Sequence, residues 1–342
     1  MKIAIISVSK KGQNLSKNLK NKLDEDSTII KTDLYHKNVK KTFPILFYEY
    51  DAIIAVMASG ILIRSIAPLI KSKSEDPAIL NIDDNGEFII STLSGHLGGA
   101  NKLTRKVSNL LGACAVITTS TDVNNKLGID VVAGDLYLKI SDTREILFFN
   151  KAILEGLEII FEINPYKNFD YLFTYLNSHT DEINVSLVFT SKVNTDEIHV
   201  KCQDHKLILK ERKIVAGIGC RRGKSAQGIL NALEKACDDL EISTSRINSI
   251  ASAWIKADEK GILELADKLE IPLNFISKDK LQLFTSPDTS KSDFVKSKFG
   301  IDGVCEPSAL IEAGFDSKLI YKKTALGGVT VAISAGGGDN NT

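Results

Sequence analysis

Residues 94–101 read SGHLGGAN, placing His96 among Gly95, Gly98 and Gly99. Glycines let a ligand approach the backbone closely. A helix that starts at such a turn aims unpaired N–H groups and its positive dipole end at a carboxylate or phosphate. His96 at that mouth can act as a general base. A second turn, GIGCRRG (217–223), combines Gly217 and Gly219 with Arg221 and Arg222. The two glycines fit the start of a GxGxxG dinucleotide fingerprint, but Arg222 stands where the third glycine belongs. Paired guanidinium groups suit carboxylates, which they bind in bidentate fashion. Cys220 in the same turn is a nucleophile only if a base is near, and all five histidines precede residue 206. Lys256, Asp258 and Glu259 in IKADEKG open a helix, where acidic residues are favoured by the dipole alone. His199, Cys202 and His205 have the spacing of a metal site. Read as one strand, however, they place Cys202 on the face opposite the two histidines.

The elements around these turns are α/β. KIAIISV, AIIAVM, AILNID, FIIST and AVITT read as strands, and Leu97, Ala100, Leu103, Val107, Leu110 and Leu111 recur at helical spacing up to Gly112. ILIRSIAPLI reads as a second helix limited by Pro68. Arg64 within it, Lys71 and Lys73, and the polar run TTSTD (118–122) are expected to converge with SGHLGGAN at the C-terminal edge of the sheet, where ligands of open α/β sheets bind. Residues 131–211 carry one helical pattern, SDTREILFFNKAILEG, then apolar strands, and show no chemical motif. At 213 the pattern restarts with strand KIVAGIG and helix AQGILNALEKACDDL. It continues through helix DEKGILELADKLE, strand IPLNFIS and helix VCEPSALIEAG, and closes on a hairpin of KLIYKK and VTVAIS across ALGG. The expected architecture is therefore a three-domain α/β chain. An N-terminal α/β domain spans 1–130, a small α+β middle domain 131–211, and a C-terminal α/β domain 212–342 whose tail AGGGDNNT is expected to be disordered.

The 342 residues hold 43 Lys plus Arg against 43 Asp plus Glu, so no overall field draws the protein to nucleic acid or to an acidic membrane surface. No apolar run approaches the roughly 20 residues needed to span a bilayer. Five scattered cysteines without a CxxC pair suit a reducing compartment, and a cytoplasmic location is expected.

Taken together, ASGILIRSIAPLI, SEDPAILNIDDNGEFIISTLSGHLGGAN, GACAVITTSTD, VAGIGCRRG, IKADEKG, CEPSAL and KTALGGVTVAIS resemble the cobalt-precorrin-5A hydrolases of anaerobic cobalamin biosynthesis. The resemblance implies hydrolytic opening of the ring A δ-lactone of cobalt-precorrin-5A, with release of acetaldehyde and formation of cobalt-precorrin-5B. It implies a cobalt-corrinoid substrate, contact with neighbouring enzymes of that pathway, and no metal or cofactor held by the protein, because cobalt arrives in the substrate. The expected catalytic set is His96 as base, with Glu259 or Lys256 delivering a proton. N–H groups near Gly98 and Gly99 would meet the oxyanion. Axial contact of His96 with the substrate cobalt is the other role open to it. The expected substrate contacts are Arg64, Ser94, Gly95, Gly98, Gly99, Asn101, Thr119, Gly217, Gly219, Arg221 and Arg222. Two other classes fit parts of the pattern: a non-catalytic protein that holds or hands over a corrinoid, and a nucleotide-dependent enzyme using GIGCRRG as a phosphate loop.

Overall fold

The computed structural model describes residues 1–73 and 75–336. The tail expected to be disordered lies, from residue 337 on, outside the described residues. In the N-terminal unit the order is β1 (Lys2–Ser7), α1 (Lys10–Asp24), β2 (Lys31–His36), α2 (Val39–Glu49), β3 (Ala52–Val56), α3 (Ser59–Ile66), β4 (Ala78–Ile82), β5 (Phe88–Leu93), α4 (Ala100–Leu111), β6 (Cys114–Val116) and α5 (Ser120–Val123). The middle unit has α6 (Ile129–Asp135), β7 (Leu138–Ile140), α7 (Ile146–Leu154), β8 (Ile159–Ile163), α8 (Asp170–Asn177), β9 (Val185–Phe189), β10 (Glu197–Cys202) and β11 (His205–Glu211). The C-terminal unit follows with β12 (Ile214–Cys220), α9 (Ala226–Leu240), β13 (Ser249–Ala253), α10 (Lys260–Leu269), β14 (Leu273–Ile276), α11 (Lys278–Leu283), α12 (Asp293–Phe299), α13 (Cys305–Ala313), β15 (Lys318–Leu326) and β16 (Val329–Ala335).

The first sheet has the order β2-β1-β3-β4-β5-β6, and its inner strands β1, β3 and β4 are buried on both faces, which is why they read as unbroken apolar runs. Side chains alternate across it. Ile3 and Ile5 face Leu19 and Leu23 of α1 and Val107 of α4, whereas Ala4 and Ile6 face Phe43 and Leu46 of α2 and Leu62 of α3. Each of these fully buried isoleucines and leucines contributes roughly 1.5–3 kcal/mol of transfer free energy.

β1 to β4 are parallel, but β5 returns antiparallel to β4. The reversal is written in DDNGEF: Gly86 takes φ +74, and the Asp83 carboxylate accepts N–H bonds from Asn85, Glu87 and Phe88. Its consequence is functional. β5 and β6 end at the edge where β1, β3 and β4 begin, so Leu93 pairs with Ile79 near the start of β4.

The middle sheet, order β7-β11-β10-β8-β9, is antiparallel except for the β8–β9 pair and is covered by α6, α7 and α8. His199 and His205 stand on two arms of the β10–β11 hairpin, not on one strand. His199 meets Glu197, and His205 meets Glu145 while stacking on Phe148.

The third sheet, order β14-β13-β12-β16-β15, is half parallel and half antiparallel, and β15 and β16 form the expected hairpin. β13 was invisible to patterning because SIASA is mostly small residues, yet all five are buried at the centre of the sheet. Gly217 is fixed by packing: a Cβ there would lie 2.0 Å from the Cys305 carbonyl oxygen of α13. Gly217→Ala is expected to lower stability by about 3 kcal/mol, since the clash is with helix backbone that must shift as a body. A urea midpoint unchanged from the parent would contradict this.

Candidate active site

SGHLGGAN forms the link between β5 and α4. Ser94 and Gly99 adopt positive φ (57° and 83°), and a Cβ on Gly98 would fall 2.4 Å from the Ser94 Cβ, so the tight double bend requires glycine at 98. The bend satisfies much of the helix start from within. Gly99, Ala100 and Asn101 donate their N–H groups to the carbonyls of His96, Ser94 and Gly95. Of the amides expected to meet an oxyanion, Gly99 is therefore already committed, whereas those of Leu97 and Gly98 donate to no protein acceptor among the described residues.

His96 is held between two carboxylates, its Nε2 2.8 Å from Asp122 Oδ2 and its Nδ1 3.0 Å from Asp130 Oδ2. Burial opposes the charge on the ring, but the hydrogen bonds to Asp122 and Asp130 outweigh it and raise the pKa to about 9. The same bonds overcome burial in the opposite sense for the acids, so Asp122 and Asp130 both titrate below the ordinary carboxylate range. At neutral pH the ring is an imidazolium donating to both acids. A resting general base needs a free neutral nitrogen, and this histidine has none.

The surrounding network is continuous. Ser91 Oγ donates to Asn101 Oδ1 (2.6 Å), and Asn101 Nδ2 donates to Thr119 Oγ1 and Asp122 Oδ2 (2.9 Å each). Thr119 Oγ1 donates to Asp122 Oδ2 and Arg105 to Asp122 Oδ1, both at 2.5 Å, and Asn150 Nδ2 donates to Asp130 Oδ1 at 3.0 Å. Asn101 is buried, and its amide holds Asp122 in place. A cavity of about 260 Å3 opens beside this network, lined by Lys73, Ser91, Thr92, Ser94, Gly95, His96, Asn101, Thr118, Thr119 and Asp130 among others.

Of the expected contacts, Ser94, Gly95, Asn101 and Thr119 are brought to this cavity, together with Lys73. Arg64 is not. α3 starts at the far edge of the sheet because β3 runs opposite to β5, and the Arg64 guanidinium folds over Gly60 in that first turn, 3.3 Å from where a Cβ would be. Two groups that patterning missed are Asp130 and Asn150, on α6 and α7. They lie 34 and 54 positions beyond His96 in the chain, with no local motif to announce them. The boundary expected at 130 runs through α6, so the SGHLGGAN loop is clamped across the junction of the first two units.

The second glycine turn forms a separate cluster. Gly219 packs against Thr330, whose Oγ1 would be 2.6 Å from a Cβ, so like Gly217 it is small for packing. Glu259 is buried and accepts the Gly223 N–H at 2.7 Å, with Lys256 Nζ 3.6 Å from its other oxygen. Arg222 pairs with Asp258 at 2.8 Å. The turn thus supplies its own anions. It sits at the start of α9, whereas the end of α9 is near the first site: Glu241, just past the helix, meets Lys102 of α4 at 2.6 Å. α9 has 15 residues, a length of roughly 22 Å at 1.5 Å per residue, and that length separates Lys256, Glu259, Arg221 and Arg222 from the His96 region. The structure does not bring the two sets together. Burial pushes the Cys220 thiol up, away from nucleophilic range.

No helix among the described residues is long and apolar enough to cross a membrane. The family model described as Cobalamin synthesis G N-terminal matches residues 41–122, and Cobalamin synthesis G C-terminus matches 214–334. The chain is 31% identical to a protein of Methanocaldococcus jannaschii named Probable cobalt-precorrin-5A hydrolase, over 98% of this chain and 99% of that one. It is 28% identical to the Cobalt-precorrin-5A hydrolase of Priestia megaterium, over 97% and 94%. A crystal structure of a cobalamin biosynthesis protein G homologue from Sulfolobus solfataricus superposes with a TM-score of 0.60 at 27% identity, covering 97% of this chain and 96% of that one. Two family models in order and relatives matched from end to end make this three-unit α/β chain an enzyme of cobalamin synthesis, a member of the cobalt-precorrin-5A hydrolase family.

Proposed function

We propose that the chain hydrolyses the ring A δ-lactone of cobalt-precorrin-5A, releasing acetaldehyde and leaving cobalt-precorrin-5B, and that the reaction takes place at the His96 cavity. The observation supporting this reading is a cavity edged by Lys73, Leu97 and a histidine kept cationic between Asp122 and Asp130.

The steps follow from what a cationic site does to a lactone. Water adds to the carbonyl carbon, and the developing oxyanion is met by the loop amides and the positive charges of His96 and Lys73. The acyl–oxygen bond breaks, giving a carboxylate and an alkoxide on the methyl-bearing carbon. That alkoxide collapses to acetaldehyde, and the electron pair of the severed carbon–carbon bond passes into the electron-poor macrocycle. His96 releases one of its two N–H groups from its carboxylate partner to give a proton to the carbon left behind and regains one from the water-derived group, so one water is consumed for each acetaldehyde formed. Lys256 and Glu259 have no part in these steps; they hold the second turn in shape.

Acyl–oxygen cleavage has an isotopic signature. A single turnover in water enriched in 18O is expected to place one label in the new carboxylate of the corrinoid, read by mass spectrometry of the isolated product. An unlabelled product would mean that the lactone opens by cleavage on the alkyl side, and the role given to the loop amides would be wrong.

A further inference from the structure

The His96 cavity is too small for the substrate proposed for it. A cobalt-corrinoid with its acetate and propionate arms has on the order of sixty heavy atoms and needs the upper part of the roughly 300–1,000 Å3 range of small-molecule sites. About 260 Å3 admits one edge of such a ring, with its lactone, and leaves the rest outside.

A second cavity of about 270 Å3 is lined by Phe47, Tyr48, Lys71, Glu75 and Asp76. Ser94 of the first cavity and Asp76 of the second link the two. Ser94 Oγ of the SGHLGGAN loop donates to the Asp76 carbonyl at 3.0 Å, and the Asp76 carboxylate accepts the Lys71 N–H at 3.0 and 3.2 Å, so Asp76 is already satisfied. Lys71 lines this cavity and Lys73 the His96 cavity, and neither makes an ion pair among the described residues. The Lys71 ammonium instead sits 5.0 Å from the centroid of the Tyr48 ring. Tyr48 is 63% exposed, and Ile45, one turn earlier on α2, is 53% exposed. An exposed aromatic ring, a neighbouring isoleucine and a lysine held only by that ring's face offer an apolar surface and a cation to one ligand.

We infer that Tyr48 and Lys71 form a second subsite for the same substrate, in which one face of a planar polycarboxylate macrocycle lies on the Tyr48 ring and a peripheral carboxylate pairs with Lys71, while its reacting edge enters the His96 cavity. Glu75 brings one negative charge to the same cavity and disfavours a second carboxylate there, so the subsite reads one acidic arm. The inference rests on the reaction proposed above only for the identity of the macrocycle.

The test uses the full chain and cobyrinic acid, a stable cobalt corrin with free carboxylates, titrated by the change in its visible absorbance. Lys71→Glu is expected to weaken binding tenfold or more and Tyr48→Ala about fivefold. Each should raise KM for cobalt-precorrin-5A by a similar factor and leave kcat within twofold. Lys17→Glu, an exposed lysine on α1, changes the net charge equally and is expected to change neither quantity. Parental affinity in both subsite variants, a fall confined to kcat, or equal weakening by Lys17→Glu would each overturn the subsite. If the parent binds the corrin with this mutational pattern but releases no acetaldehyde, the subsite stands and the proposed reaction fails.

Discussion

His96→Gln is expected to lower kcat by two to four orders of magnitude, the range usual for loss of a positioned proton donor. Glutamine keeps the size and can still bond one of the two carboxylates, but it is neutral and holds no transferable proton. The pH dependence separates this role from a purely structural one. With its pKa raised to about 9 by Asp122 and Asp130, the imidazolium keeps the rate level through neutral pH, and the rate falls only as the ring loses its proton near pH 9. Asp122→Asn removes one of the two stabilising acids, so the falling limb should move towards the ordinary histidine range near 6.5. A profile that stays put in Asp122→Asn would deny His96 its place in the rate.

The same bridge acts on stability, with a definite sign. A group whose pKa is raised on folding stabilises fully below its unfolded value, near 6.5 for histidine, and loses that contribution as pH rises through about 9. The lowered pKa values of Asp122 and Asp130 set the other limit: their share is present above the ordinary carboxylate range and is lost only as pH falls below it. The difference in melting temperature between parent and His96→Gln is therefore expected to be largest from about pH 5 to 6.5 and to vanish above about pH 9.

The largest effect on folding is expected from Arg246→Ala, at about 3–5 kcal/mol. This guanidinium is 1% exposed and spends its donors on the joint between the middle and C-terminal units. Nε bonds the Leu136 carbonyl at 2.8 Å, Nη2 the Tyr137 and Arg212 carbonyls at 3.0 and 2.8 Å, and Nη1 the Asn248 side chain at 2.9 Å. Leu136 caps the C-terminus of α6, whose negative dipole end suits a cation, and the Tyr171 ring lies 5.2 Å away. Truncation leaves buried carbonyls without donors and a cavity in the joint. Lysine, with one point charge in place of a planar fork, should recover little of this. Limited proteolysis should then cut near residue 212 at denaturant concentrations that leave the parent intact. Equal resistance in the variant would show that the joint holds without its arginine.

Arg246 also shows where reading the chain stops. In TSRIN it looks like any loop arginine, and nothing local reveals that three backbone carbonyls from distant segments close around it. Helix α9 was legible to the residue because its apolar positions keep one face over four turns and Ser225 caps its start. The β15–β16 hairpin was legible because Gly327 and Gly328 supply the positive φ its turn needs. The meeting of SGHLGGAN with TTSTD was legible, and His96 and Asn101 do reach Thr119 and Asp122. The charge on His96 was not, because Asp130 arrives from the next unit. Arg64 was misplaced for a topological reason: the direction of β5 decides which motifs share an edge, and a strand's direction is set by its partner.

The most direct measurement is anaerobic incubation of the purified protein with enzymatically prepared cobalt-precorrin-5A, following acetaldehyde and the mass of the corrinoid together. The expected result is one acetaldehyde for each corrinoid converted, the corrinoid having gained one water and lost C2H4O, with both signals lost in His96→Gln. Tight binding of the corrinoid with its mass unchanged and no acetaldehyde would contradict the assigned reaction and leave a protein that holds the intermediate without transforming it.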